Sequence, residues 1–184
     1  MTNPLKWKKA VCLNYKKTIL EYGILALVIV IIFNFILMLS YIPSASMNPM
    51  LIKGDIVVGT RYDTENIKRY DVAIFKAPDN RDRYYIKRVI GLPGETITVK
   101  NGKVYADGKL LDDSFIKEEM NTTGDGVYKV PEGCYFMMGD NRNDSYDARF
   151  WKNKYVPAKD IASVGRFIIF PFNRIKSIQY QGGV

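Results

Sequence analysis

The chain has 184 residues and no histidine, and that absence constrains any hydrolytic chemistry it carries. A serine hydroxyl that attacks a carbonyl must give its proton to a base, so without imidazole the base has to be lysine or a carboxylate. Cysteine is nearly missing as well, with Cys12 and Cys134 far apart in the sequence. Two separated thiols without imidazole build neither a zinc site of the usual kind nor a disulfide framework. No metal and no cofactor is therefore expected. Acidic residues are absent before Glu21, and no charge of either sign stands between Glu21 and Lys53.

The formal charge of +8 does not imply nucleic acid. Lys6, Lys8, Lys9, Lys16 and Lys17 against Glu21 place half of it in the first 21 residues, and the remainder carries 22 basic and 18 acidic residues. That mild excess is no binding stripe, so no nucleic-acid partner is expected. Gly23 to Leu39 is uncharged, with Asn34 its one strongly polar side chain. Extended through Tyr41-Ile42, the run reaches the roughly 20 residues a bilayer requires. The expected division is a basic cytoplasmic segment over 1–21, a transmembrane helix over 22–42, and an extracytoplasmic domain over 43–184. The flanking lysines predict a cytoplasmic N-terminus by the positive-inside rule. A cleavable signal peptide has a similar layout, but its apolar core is shorter, about 7–15 residues.

Past this segment, apolar or alternating runs of strand length follow one another at 55–59, 72–75, 84–90, 96–100, 104–106, 134–138 and 164–170. Asn101-Gly102 and Asp107-Gly108 are hairpin-turn dipeptides. The fold expected is mostly β, an antiparallel-sheet domain with a small secondary lobe over about 95–132, preceded by one N-terminal transmembrane helix.

Chemistry concentrates in four segments: Pro43-Ser44-Ala45-Ser46-Met47-Asn48-Pro49-Met50, Arg69-Tyr70-Asp71-Val72-Ala73-Ile74-Phe75, Tyr85 to Glu95, and Gly139-Asp140-Asn141-Arg142-Asn143-Asp144-Ser145-Tyr146-Asp147-Ala148-Arg149. In this order they resemble the sequence boxes of type I signal peptidases, the bacterial Ser/Lys family, in its short Gram-positive-like form. The resemblance implies Ser46 as nucleophile and Lys87 as general base. Side-chain alternation agrees with that role, because Tyr85, Lys87 and Val89 share one face of a strand while Arg88 points away. Burial among such neighbours lowers an amine's pKa until it can accept a proton.

The same resemblance implies that the Ser44 hydroxyl and the Ser46 N–H stabilise the oxyanion, and that Ser145 orients the base amine. It further implies structural ion pairs Arg88–Asp140 and Asp147–Arg149. It makes Ile42, Met47, Leu51, Tyr85 and Ile86 the lining of shallow substrate pockets for Ala-X-Ala sites. Exported preproteins would be the substrates, and membrane lipid the second partner, with Met47, Met50 and Leu51 partly in lipid. Two positions depart from the family pattern. Tyr70 stands where glycine is usual, and Ala148 where serine is usual. Ser114-Phe115-Ile116-Lys117 matches a Ser-x-x-Lys pattern, but no Lys-Thr-Gly or Ser-Asp-Asn accompanies it. Asp140 to Asp147 lacks the glycine and closing glutamate of a calcium loop. A second reading of the chain is a catalytically idle, membrane-tethered domain of the same fold that docks or chaperones secreted or pilus subunits.

Overall fold

The computed structural model describes residues 4–180, which fall into two units meeting at Ile36 and Leu37. The first is a single helix, α1 (Pro4–Ile31), ending in a π-helical turn over Ile32–Ile36. Its stretch Tyr15–Ile36, 22 residues, is long and apolar enough to cross a membrane. Leucine, isoleucine and valine occupy every side of it, as lipid requires and a one-sided protein core does not. Asn34 fits there because its side chain donates to the Val30 carbonyl at 2.8 Å, within its own helix.

The helix is shorter at its C-terminal end than hydropathy indicated. Leu37–Tyr41, expected as the last turn of the span, is strand β1. All five of its residues are in register with Ile56–Thr60 of β2. Hydropathy cannot separate a lipid-facing helix from a strand of the same composition; the partner ladder decides.

The second unit holds two antiparallel sheets. The remaining strands are β3 (Val72–Ala77), β4 (Asn80–Gly91), β5 (Thr96–Lys100), β6 (Lys103–Ala106), β7 (Lys109–Leu110), β8 (Gly126–Lys129), β9 (Cys134–Met138), β10 (Val156–Pro157), β11 (Ile161–Phe170) and β12 (Lys176–Ser177). The larger sheet runs β1-β2-β11-β3-β4-β9-β10, with β12 beside β11, and the smaller runs β7-β6-β5-β8. The turn dipeptides behave as their chemistry requires: Asn101, Gly102, Asp107 and Gly108 all have positive φ. A clamp holds the passage from β4 to the smaller sheet. Arg69 donates to the Ile90 carbonyl at 2.6 Å and pairs with Glu95, which also accepts from the Leu92 N–H at 2.8 Å.

Two apolar clusters form the interior. The larger joins both sheets through Phe75, Val89, Ile97, Phe136, Met138 and Trp151, among others. The smaller contains Ile42, Met47, Leu51, Val57, Val72, Ile168 and Ile178. Met47 and Leu51 are fully buried there. They were expected to line a pocket and to touch lipid; the structure places them in the core instead. The reason is the turn over 46–50, which directs both side chains inward, with the Leu51 N–H donating to the Met47 carbonyl at 2.9 Å. Leu51→Ala should accordingly cost about 2–5 kcal/mol in denaturant unfolding of the detergent-solubilised chain. A lipid-facing or pocket-lining leucine would cost well under that.

Candidate active site

The turn that carries Ser46 is fixed from three sides. Met47 and Leu51 anchor it below, and the Asn48 N–H donates to the Ala45 carbonyl at 3.0 Å. Asn141 holds its outer edge, the backbone N–H donating to the Ser46 carbonyl at 3.1 Å and the side-chain amide to the Ala45 carbonyl at 3.2 Å. Sequence reasoning did not single out Asn141 for this task. Its position two residues past Gly139, in a polar loop, was the available signal.

Lys87 lies in β4 opposite Ala73 of β3, whose small side chain leaves room for the lysine stem. The ammonium nitrogen donates to Ser46 Oγ, and Lys87 is 5% exposed. Burial lowers its pKa from 10.5 to about 8; the charges of Asp147 and Asp140 oppose that shift, Arg149 adds to it, and Asp144 opposes it. The two main opposing carboxylates are already occupied. Asp140 receives Arg88 Nε at 2.6 Å and Nη2 at 2.5 Å, and Asp147 receives Arg149 Nε at 2.8 Å and Nη2 at 2.9 Å. All four of these side chains are fully buried. Each arginine thus draws onto itself a field that would otherwise keep Lys87 protonated.

The fourth sequence segment is a loop woven through these groups. The Gly139 N–H donates to Asp147 Oδ2 at 3.0 Å, Arg149 Nη2 donates to the Arg142 carbonyl at 2.7 Å, and Trp151 Nε1 donates to the Tyr146 carbonyl at 3.1 Å. Arg142 is buried with no carboxylate on its guanidinium among the described residues; it donates to the Gly139 carbonyl at 3.2 Å, and burial lowers its pKa to about 10. Ala148 is fully buried, so a methyl there leaves no polar atom to satisfy. Tyr70 has φ +72, the region that favours glycine. Its ring packs on Phe115 and Tyr180 at centroid distances of 5.7 and 4.8 Å, and its carbonyl accepts from Arg88 Nη1 at 2.9 Å.

Ser44 Oγ lies at the site, 3.4 Å from Ser46 Oγ, on an exposed residue. One expected contact differs. Ser145 Oγ makes no hydrogen bond to Lys87; it is buried without a partner among the described residues. It packs where a Cβ on Gly139 would stand, 2.2 Å from that point, with the Ser46 carbonyl 2.5 Å from it. Glycine is therefore required at 139 for Ser46 and Ser145 to approach each other.

A groove of about 600 Å3 opens over the pair. Its lining is drawn from Ser40 to Ser46, Ile74, Arg83 to Lys87, Asp144 and Tyr146. Ile42, Tyr85 and Ile86 line it, whereas Met47 and Leu51 do not. A hydroxyl bonded to a dehydrated amine in an open groove is a constellation for nucleophilic attack on a carbonyl.

Comparison with known proteins agrees with that class. The family described as "Signal peptidase, peptidase S26" matches residues 15–170. Signal peptidase I P of Bacillus subtilis subsp. natto is 34% identical over 93% of this chain and 96% of its own length. Signal peptidase I of Bacillus licheniformis is 35% identical over 89% of this chain and 95% of its own. A solved structure, a signal peptidase I from Enterococcus faecalis V583, is 30% identical, covering 54% of this chain and 96% of that one with a TM-score of 0.47. The chain belongs to the signal peptidase family, peptidase S26.

Two outcomes follow from this geometry. Lys87 has a folded-state pKa below its value of 10.5 in the open chain, so the folded state gives up the proton first and its stability rises with pH between about 8 and 10.5. Below that window the buried charge carries its full penalty. Lys87→Met should therefore be more stable than wild type by about 1–3 kcal/mol at pH 7, with the difference shrinking toward pH 10.5, in denaturant titrations at the two pH values. Gly139→Ala should separate Ser46 from Ser145 and lower peptide cleavage at least about tenfold, since small displacements of reacting groups are costly; the assay is kcat on a signal-peptide substrate.

Proposed function

We propose that this chain is a membrane-anchored serine endopeptidase that removes N-terminal signal peptides from exported preproteins, with Ser46 as nucleophile and Lys87 as general base. The observation that supports it most is the hydrogen bond between the Lys87 amine and Ser46 Oγ in a buried site. Family membership supplies the reaction class.

The reaction runs through one proton shuttle. Neutral Lys87 accepts the Ser46 proton as Oγ attacks the scissile carbonyl carbon, and the Oγ–C bond forms while the carbonyl π pair moves to oxygen. That oxyanion sits against the Ser46 N–H and the Ser44 hydroxyl, donors whose interaction is strongest in the transition state. Collapse breaks the C–N bond, and the Lys87 ammonium protonates the leaving amine. Water then attacks the acyl carbon while Lys87 takes its proton; the new C–O bond forms, the C–Oγ bond breaks, and the Lys87 ammonium returns the proton to Ser46 Oγ. No step needs a metal or cofactor.

Peptide binding follows from the walls of the groove. An extended substrate lies between residues 40–44 and 84–86 and is held by backbone hydrogen bonds, as in strand addition. Ile42, Tyr85 and Ile86 leave shallow apolar recesses that suit the small side chains of an Ala-X-Ala-like site. Met47 and Leu51 act beneath the groove, holding its floor. Arg88, Asp140, Asp147 and Arg149 keep the loop and the local field in place, and Ser145 supports the Ser46 turn through Gly139. The basic residues ahead of the apolar helix orient the N-terminus to the cytoplasm and the β domain to the outside.

Ser46→Ala and Lys87→Met should each abolish cleavage of a preprotein by the purified chain. Because the folded lysine titrates near 8, kcat/KM should rise with pH through a limb centred at about 8 and be low below it. A rate insensitive to pH between 6 and 9, or cleavage surviving in either variant, would refute the assignment. Ser44→Ala should lower kcat by about tenfold or more with little change in KM.

A further inference from the structure

Three charged side chains stand in the walls of the groove: Arg83, Lys87 and Asp144. Lys87 is turned inward to Ser46. The other two are exposed, and neither forms a salt bridge among the described residues. Arg81, next on the same face of β4, contrasts with them, since Asp160 engages it at 2.8 Å. The two free charges have opposite sign. Arg83 is four residues before Lys87 along β4, a separation of about 13 Å at the usual strand rise. Asp144 precedes Ser145, whose Oγ and the Ser46 carbonyl both lie within 2.5 Å of the point a Cβ on Gly139 would occupy, so Asp144 stands near the reacting pair.

Building on the peptidase reading above, we propose that Arg83 and Asp144 read substrate charge on the two sides of the scissile bond. The two lining stretches, residues 40–44 and 83–86, give room for the segment upstream of the bond. The segment that bears Asp144 also lines the groove, and in this proposal the downstream residues pass it. Arg83 then meets a side chain about three to five residues upstream of the bond, at 3.3 Å per residue of extended chain. It favours an acidic or neutral residue there over a basic one. Asp144 meets the first residues downstream and favours a basic residue over an acidic one. Both contacts are solvated, so each is worth about two- to fivefold in rate and is weakened by salt.

The test uses the full chain in detergent and four synthetic peptides that share one Ala-X-Ala core. One pair carries Lys or Glu at the second residue downstream of the bond; the other carries Lys or Glu four residues upstream. Wild type should cleave the downstream-Lys peptide with about three- to tenfold higher kcat/KM than its Glu partner at low ionic strength, and the ratio should fall toward one at 0.5 M salt. Asp144→Asn should bring that ratio near one and Asp144→Lys should invert it, while neither moves the upstream ratio. Arg83→Gln should do the converse, abolishing a preference for upstream Glu. Unchanged ratios in these variants, with cleavage intact, would overturn the charge-reading proposal and leave the peptidase assignment standing. Wild type that cleaves none of the four peptides would overturn the peptidase assignment itself, and the inference with it.

Discussion

An amine taken out of water keeps its proton only if something else stabilises the charge, and the core around Lys87 is arranged so that little does. The strand face it shares with Tyr85 and Val89 supplies burial. Asp140 and Asp147 are the carboxylates that would reverse the effect, and Arg88 and Arg149 engage each of them through two nitrogens. The two ion pairs are therefore part of the electrostatics of the site as well as braces for the loop. Buried pairs of this kind add little net stability; what they add here is a fixed field with its main components cancelled.

Much of the rest of the domain serves to hold one hydroxyl against that amine. The Ser46 turn has no regular secondary structure of its own. It is held by two core side chains from below and by Asn141 from the side. Trp151 packs on Phe75 and Tyr85 at centroid distances of 5.8 and 6.0 Å and draws the far end of the 139–149 loop to the same sheet. A reacting group locked by packing and hydrogen bonds on a rigid support is the preorganisation an active site requires.

What could be read from the sequence was what local pattern encodes. Strands such as 96–100 and 134–138 stood out because their alternation or apolar density has only one use outside a membrane. The Ser46–Lys87 approach was legible only through resemblance to a family, since 41 residues separate the two and no local pattern carries a contact of that range. Leu37–Tyr41 misled because its composition suits lipid and sheet alike. Met47 and Leu51 misled because the family resemblance that placed them at a pocket says nothing of facing, and a turn, unlike a strand, has no periodicity to supply it. Tyr70 is the reverse case: a departure from the family pattern is accommodated, its unfavourable backbone angle offset by packing on Phe115 and Tyr180.

The buried arginine–aspartate pairs also bear on how such a chain can change over generations. Replacing any one of Arg88, Asp140, Asp147 or Arg149 strands an opposite charge in a dry interior, a cost of about 3–5 kcal/mol that takes a large share of a domain's stability. Drift at these positions must pass through simultaneous exchange of both members, which is rare. Descendants of this chain should consequently vary freely along the exposed strands while inheriting these four residues in linked couples.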